Sequence, residues 1–259
     1  MVRHRDAAVL VVEKTAGLLT HGRPSDRGKD KENLLSLLRA SWGGRRNLIL
    51  PVHRLDRPVS GLLVFARTPK ARAALIADFA KKDVERRYLA LVKGRMPEDQ
   101  DRGTFRSWLK TDEPSLRIHS DPEEKGRGRV AVTHYRVLER LKNATFVEVR
   151  LETGVRNQIR VHFSEAGFPL LGERMYDDTA RNQARFRGQR AGRIFLHAAT
   201  LGFRHPTTGE QLRFESPLPE DLQGWLSRMR RDGPRTTEET PRSPRPRGGR
   251  RGRTATRPS

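Results

Sequence analysis

The sequence predicts an α+β protein with a mixed, mainly antiparallel central sheet flanked by helices. Three observations carry the expectation. Strand-like runs outnumber helical ones, and they do not alternate with helices as the segments of a parallel α/β chain would. Residues 104–151 hold several such runs separated by Gly, Pro, Asp and Asn, which points to an antiparallel meander. The apolar residues gather in short clusters, such as Val9-Leu10-Val11-Val12 and Leu62-Leu63-Val64-Phe65, of a length that suits buried strands. No internal repeat stands out.

Taken in order, residues 7–13 read as a strand, and residues 31–40 as a short helix entered from Asp30, with leucines at 34, 35, 37 and 38. A Gly-Gly-Arg-Arg loop and an apolar run at 48–52 lead into the segment from His53 to Thr68, which ends in a buried strand from Leu62 to Ala66. Thr68-Pro69 is an N-cap followed by proline at the first helical position, and an alanine-rich helix should run from there to about Lys82. Residues 84–93 form a further strand. Arg156 to Ala166 reads as a helix stopped by Gly167, and Ile194 to Arg204 as a strand. Thr208-Gly209 turns the chain back into Gln211 to Phe214, and Pro219 opens a last helix to about Arg230.

At 259 residues the chain has room for one well-packed domain, which the pattern places at 1–232. Residues 233–259 hold Arg, Pro, Gly, Thr and Ser with a single aliphatic residue, Ala255. Such a segment cannot bury enough apolar area to offset its chain entropy and is expected to be a disordered basic tail. The count of 53 Lys and Arg against 31 Asp and Glu leaves a net charge of +22. An excess of that size points to a polyanionic partner, because each phosphate neutralised releases condensed counterions. No stretch has the length of an apolar membrane span, and the start lacks the apolar region of a secretory signal, so a cytoplasmic protein is expected. Cysteine is absent, which excludes disulfides, thiolate nucleophiles and cysteine-ligated zinc; the histidines show no metal-ligand spacing, so no metal is expected.

The chemistry concentrates in His53-Arg54-Leu55-Asp56-Arg57-Pro58-Val59-Ser60-Gly61, where polar and charged residues directly precede an apolar strand. A loop entering a core strand is a rigid mount, and a carboxylate on it faces low-dielectric surroundings. On these residues alone, Asp56 between two arginines also reads as an ion pair stabilising a turn.

The run HRLDRPVSGLLVFART is very similar to the signature of the RluA-type RNA pseudouridine synthases, and three further blocks match in order. Glu13 to His21 resembles the family's early N-K-P-A-G-L-L-V-H segment. Arg87 to Gly94 resembles its K-x-Y-L-A-L-V-x-G strand. Thr153 to His162 resembles its T-G-R-T-H-Q-I-R-V-H helix start, followed by Gly167-Phe168-Pro169-Leu170-Leu171-Gly172. Phe195-Leu196-His197-Ala198 and Ser216-Pro217-Leu218-Pro219 look like its C-terminal blocks, so the resemblance spans roughly residues 8–222.

This resemblance implies the pseudouridine synthase fold, with a cleft across the sheet, and an isomerase acting on rRNA or tRNA without cofactor or metal. Uridine becomes pseudouridine when the N1–C1′ bond breaks, the uracil rotates and it rejoins the sugar through C5. By resemblance Asp56 is the catalytic nucleophile, attacking C1′ or removing a sugar proton, and either role needs it ionised. Burial alone would raise its pKa, and Arg160 is the partner the family motif supplies. Tyr88 is expected to line the pocket against the uracil. Arg54 is expected to fill the space left when the uridine is extruded from its stack, a step costing a few kcal/mol.

Two departures stand in the helix start: the pattern becomes Thr153-Gly154-Val155-Arg156-Asn157, with an arginine displaced by one position and asparagine in place of histidine. The second affects the hydrogen bonds around this helix start. Thr15 replaces the usual proline of the early block. The matched body begins near the start of the sequence, so the small N-terminal S4 domain that many relatives carry is not expected here. A monomer is the expected state. The alternative to the isomerase is an inactive RNA-binding or ribosome-assembly factor on the same fold, against which Asp56, Tyr88 and Arg160 argue. A nuclease using His53 or His162 is a third reading. Both histidines are fixed members of the matched runs and are expected to be structural.

Overall fold

The computed structural model describes residues 1–22, 32–42, 48–112, 115, 117–121, 128–177 and 192–231. Asp30, the Gly43-Gly44-Arg45-Arg46 loop and the tail expected at 233–259 lie outside them.

The described strands are β1 (Val2–Arg5), β2 (Val9–Lys14), β3 (Leu50–Pro51), β4 (Ser60–Ala66), β5 (Glu85–Lys93), β6 (Arg102–Thr111), β7 (Ile118–Ser120), β8 (Arg129–Arg140), β9 (Ala144–Leu151), β10 (Leu196–Arg204) and β11 (Gln211–Glu215). They form one sheet in the order β1-β2-β4-β10-β5-β9-β8-β6-β7, with β3 on β4 and β11 on β10. β4 and β10 run parallel, and the other described pairs are antiparallel. The sheet is therefore mixed and mainly antiparallel, as expected. Within the run from 104 to 151 a simple meander would place β7 between β6 and β8. Instead β6 pairs directly with β8, and β7 folds back onto the outer edge of β6. β1 was not foreseen: its sequence, Val-Arg-His-Arg, is too polar to read as a strand, and antiparallel pairing with β2 creates it.

Among the described residues four helices cover the sheet: α1 (Leu34–Trp42), α2 (Pro69–Lys81), α3 (Gln158–Glu165) and α4 (Glu220–Arg231). Strand alternation sorts them between faces. Leu10, Val12, Leu63 and Phe65 turn toward the layer holding Leu34, Leu35 and Leu38 of α1 and Ile159 and Phe163 of α3. Val9, Val11, Leu62 and Val64 turn the other way, onto Ala71 and Leu75 of α2. Leu222, Leu226 and Met229 of α4 close a third cluster over Leu91 and Phe195.

The caps explain the helix boundaries. Thr68 Oγ1 accepts from Ala71 N–H at 3.1 Å, with Pro69 opening α2, as the sequence signals. α1 starts at Leu34, later than the expected 31, because Asn33 and Ser36 form a reciprocal box, each backbone N–H donating to the other's side chain at 3.0 Å. α3 does stop at Gly167, whose φ of +84° closes a Schellman turn from Phe168 N–H to Phe163 O at 2.8 Å. Its start differs: Asn157 is left-handed with φ +55°, so Arg156 is not helical and does not sit one turn before Arg160 on a common face.

Candidate active site

Asp56 sits on a tight turn, closed by Val59 N–H donating to Asp56 O at 3.0 Å, immediately before β4. The early matched block clamps this turn. Gly17 N–H donates to Arg57 O at 2.8 Å, and Arg57 Nε donates back to Gly17 O at 2.9 Å. Thr20 Oγ1 donates to Leu55 O at 2.9 Å and accepts from Leu55 N–H at 3.1 Å. Lys14, 1% exposed, drives its ammonium under the same turn onto the carbonyls of Thr15, Leu18 and Arg57 at 2.9, 2.7 and 3.4 Å. Burial lowers its pKa to about 8. Lys14 lies inside the matched Glu13–His21 block, and nothing in the block's spacing gives it a separate task. Its signal was a lone cation closing an apolar strand, which only the loop it holds explains.

Behind the turn, Gly61 brings β4 against β10. A Cβ there would lie 2.3 Å from Ala198 O, and its φ is +119°, so glycine is required by both space and backbone. Beside it the Ser60 hydroxyl hydrogen-bonds His197 Nδ1 at 2.9 Å, and Arg193 Nη1 donates to Ser60 Oγ at 3.1 Å. A cavity of about 790 Å³ lies against Lys14, Ser60, Arg193, Asp221 and Trp225; Arg54, Asp56, Tyr88 and Arg160 do not line it.

The expected partner of Asp56 is present, but the pair is loose. Arg160 Nη1 stands 3.8 Å from Asp56 Oδ2. The same guanidinium is held bidentately by Glu173, Nε to Oε2 at 2.7 Å and Nη2 to Oε1 at 2.9 Å. Glu173 was not foreseen. It follows the matched Leu170-Leu171-Gly172 run with nothing in its spacing to tie it to a residue thirteen positions earlier. Burial raises the pKa of Asp56; Arg160, Arg54 and Arg156 oppose the rise, and Glu173 adds to it. The arginines therefore offset only part of the desolvation that Arg160 was expected to cancel.

Tyr88, on β5, is buried against the layer that holds α1 and α3, and burial raises its pKa, with Arg86 opposing and Asp56 reinforcing. Its hydroxyl has no hydrogen-bond partner among the described residues. Arg54 is exposed, near enough to Asp56 to oppose the rise in its pKa. Asn157, the departure from the family pattern, is well suited to its place: asparagine tolerates the left-handed region, and its Oδ1 accepts from Arg160 Nη1 at 3.0 Å.

Neither histidine is set up as an acid or base. His53 Nε2 accepts from Val64 N–H at 3.1 Å, its ring packs on Phe79 at 4.7 Å, and burial lowers its pKa to about 3. His162 bridges Thr133 and Ser107 at 2.8 and 2.9 Å, and burial lowers its pKa to about 4. Both brace the core, as expected. Among the described residues there is no group of three side chains able to hold a metal ion.

The architecture belongs to a known class. Human RNA pseudouridylate synthase domain containing 4 shares the fold with a TM-score of 0.67 at 22% identity, covering 88% of this chain and 92% of that one. Its human counterpart domain containing 1 aligns with a TM-score of 0.65 at 24% identity. These likenesses define the fold class, that of the pseudouridylate synthases.

Sequence relatives narrow this. The RNA pseudouridylate synthase family profile matches residues 8–165. An uncharacterised RNA pseudouridine synthase of Bacillus subtilis is 38% identical over 90% of this chain and 73% of its own length. The ribosomal large subunit pseudouridine synthase D of Zymomonas mobilis is 40% identical over 84% of this chain and 69% of its own. The chain belongs to the RNA pseudouridylate synthase family and is an RNA pseudouridine synthase.

Proposed function

We propose that Asp56 is the catalytic carboxylate of this isomerase, that Arg54, Tyr88 and Arg160 contact the substrate, and that the substrate is a uridine of large-subunit ribosomal RNA. The observation that supports the first part is the position of the Asp56 carboxylate. It is one-fifth exposed, mounted on a turn clamped from below, with an arginine 3.8 Å away. The RNA assignment draws on the large-subunit synthases among the relatives and on the net charge of +22.

In this reading the uridine leaves its stack, Arg54 enters the gap, and the uracil packs on Tyr88. Asp56 attacks C1′ as the N1–C1′ bond breaks, or assists base departure by removing a sugar proton. The uracil rotates and C5 bonds to C1′ as the Asp56–C1′ ester bond breaks, or, in the second route, as Asp56 returns the sugar proton; the C5 proton then leaves while N1 gains one. Atoms balance with no net redox change, so the reaction calls for no cofactor.

The decisive experiment uses RNA tritiated at uracil C5. Asp56→Asn should release no tritium, while its melting temperature equals or exceeds the parent's because a buried carboxylate has been neutralised. Release at the parental rate ends the proposal. Pseudouridine mapping in cells lacking the protein should show one or more sites missing from large-subunit RNA. Loss from tRNA instead would reassign the substrate and leave the chemistry standing.

A further inference from the structure

Arg160 is contested by two carboxylates, and the buried one holds it. Glu173, whose side chain is 0% exposed, takes the Nε and Nη2 edge of the guanidinium. Its Oε1 is fixed by the backbone N–H groups of Arg174, Met175 and Tyr176 at 2.9, 2.8 and 3.3 Å. Asn157 Oδ1 accepts from Nη1, while Asn157 Nδ2 donates to the Tyr176 hydroxyl at 2.9 Å. The Tyr176 ring lies against the guanidinium, its centroid 5.2 Å from Arg160 Cζ. Asp56, at 3.8 Å from Nη1, meets a cation already engaged along its other edge.

This arrangement has a chemical consequence. A carboxylate gripped bidentately by arginine has both oxygens occupied by donors and is a weaker nucleophile and base. With the fork given to Glu173, Arg160 offers Asp56 charge without closing on it. Resting on the reading of Asp56 as the catalytic group, we propose that Glu173 and Asn157 are positioning residues: they hold Arg160 from behind so that Asp56 keeps its oxygens free for the ribose.

Electrostatics agree with the geometry. Among the described residues the charged and titratable groups facing Asp56 are Arg54 beside it, Arg156 and Arg160 at the start of α3, Lys14 on β2, Tyr88 on β5 and Glu173 after α3. Glu173 is the anion among them, and it pushes the Asp56 pKa further up. Removing its charge should lower that pKa and let Arg160 swing onto Asp56.

The test measures turnover of C5-tritiated RNA against pH with the full chain and its Glu173→Gln, Glu173→Asp and Asn157→Ala variants. For Glu173→Gln the plateau kcat should fall by about tenfold or more with KM little changed, since a misplaced catalytic neighbour costs rate more than binding. The acid limb of its profile should move to lower pH. Glu173→Asp keeps the charge and should keep the parental acid limb. Asn157→Ala removes no charge and should lower kcat with the limb unmoved. An acid limb for Glu173→Gln that superimposes on the parent's refutes the proposal, because damage to packing alone leaves the limb in place. If Glu173→Gln does not fold, Asn157→Ala decides: full parental kcat also refutes it. Failure of the underlying reading has a different signature, an active Asp56→Asn.

Discussion

Gly61→Ala is the substitution whose effect the structure specifies most closely. The new Cβ would sit 2.3 Å from Ala198 O and 2.6 Å from Ala198 N, so β10 would have to retreat by roughly 1 Å to restore ordinary contact. It cannot do so alone. β4 and β10 pair through His197–Ser60 and Ala198–Gly61, and the other edge of β10 is registered to β5 from Leu196 to Gly202. Alanine at φ +119° adds backbone strain of about 1–3 kcal/mol. Overpacking against backbone adds about 1–3 kcal/mol more. Together these correspond to a fall in melting temperature of about 5–20 °C for a body of this size. Gly224 supplies the control, because it lies inside α4 with nothing within 4 Å of an added Cβ. Gly224→Ala should stabilise by about 0.5–1 kcal/mol through helix propensity. Thermal melts of the three proteins read the result directly. A melting temperature for Gly61→Ala within about 2 °C of the parent would refute the argument that close approach demands this glycine.

Two further outcomes are expected. His53 and His162 have folded-state pKa values lowered to about 3 and about 4, so the unfolded chain binds their protons first as pH falls. Their neutral burial leaves stability intact above the unfolded value near 6.5 and drains it as pH falls toward those folded values, by up to about 1.4 kcal/mol per pH unit for each. Urea midpoints measured from neutral to acid pH should show this slope, and a His53→Gln/His162→Gln double variant with the parental slope would exonerate both. Deleting residues 233–259 removes eight arginines and two glutamates. Truncation should raise KM for RNA and flatten its salt dependence without changing the single-turnover rate; a salt slope identical to the parent's would exclude the tail from RNA contact.

Much of this was legible in the chain itself. Short continuous apolar runs in Val9–Lys14 and Ser60–Ala66 marked central strands, because a strand covered on both faces is apolar throughout. Thr68-Pro69 and Gly167 marked helix ends because caps act within a few residues. Asp56, Tyr88 and Arg160 stand out as candidates through motif order, each lying in a contiguous run that carries its own context. β1 escaped notice because its partner makes it a strand, and the position of β7 outside β6 depends on pairing that local sequence does not encode.

Local interactions thus determine where strands, caps and the Asp56 turn fall, since turn chemistry, capping and short apolar runs act over a few neighbours. Which carboxylate holds Arg160, why Lys14 is buried beneath residue 57, and why position 61 tolerates no side chain are settled only when distant segments are packed together. Glu173 reaches Arg160 from the loop beyond α3, Lys14 reaches Arg57 across 43 residues, and Ala198 meets Gly61 from the far side of the chain. Contacts of that kind depend on geometry between segments, and no spacing along the chain records them.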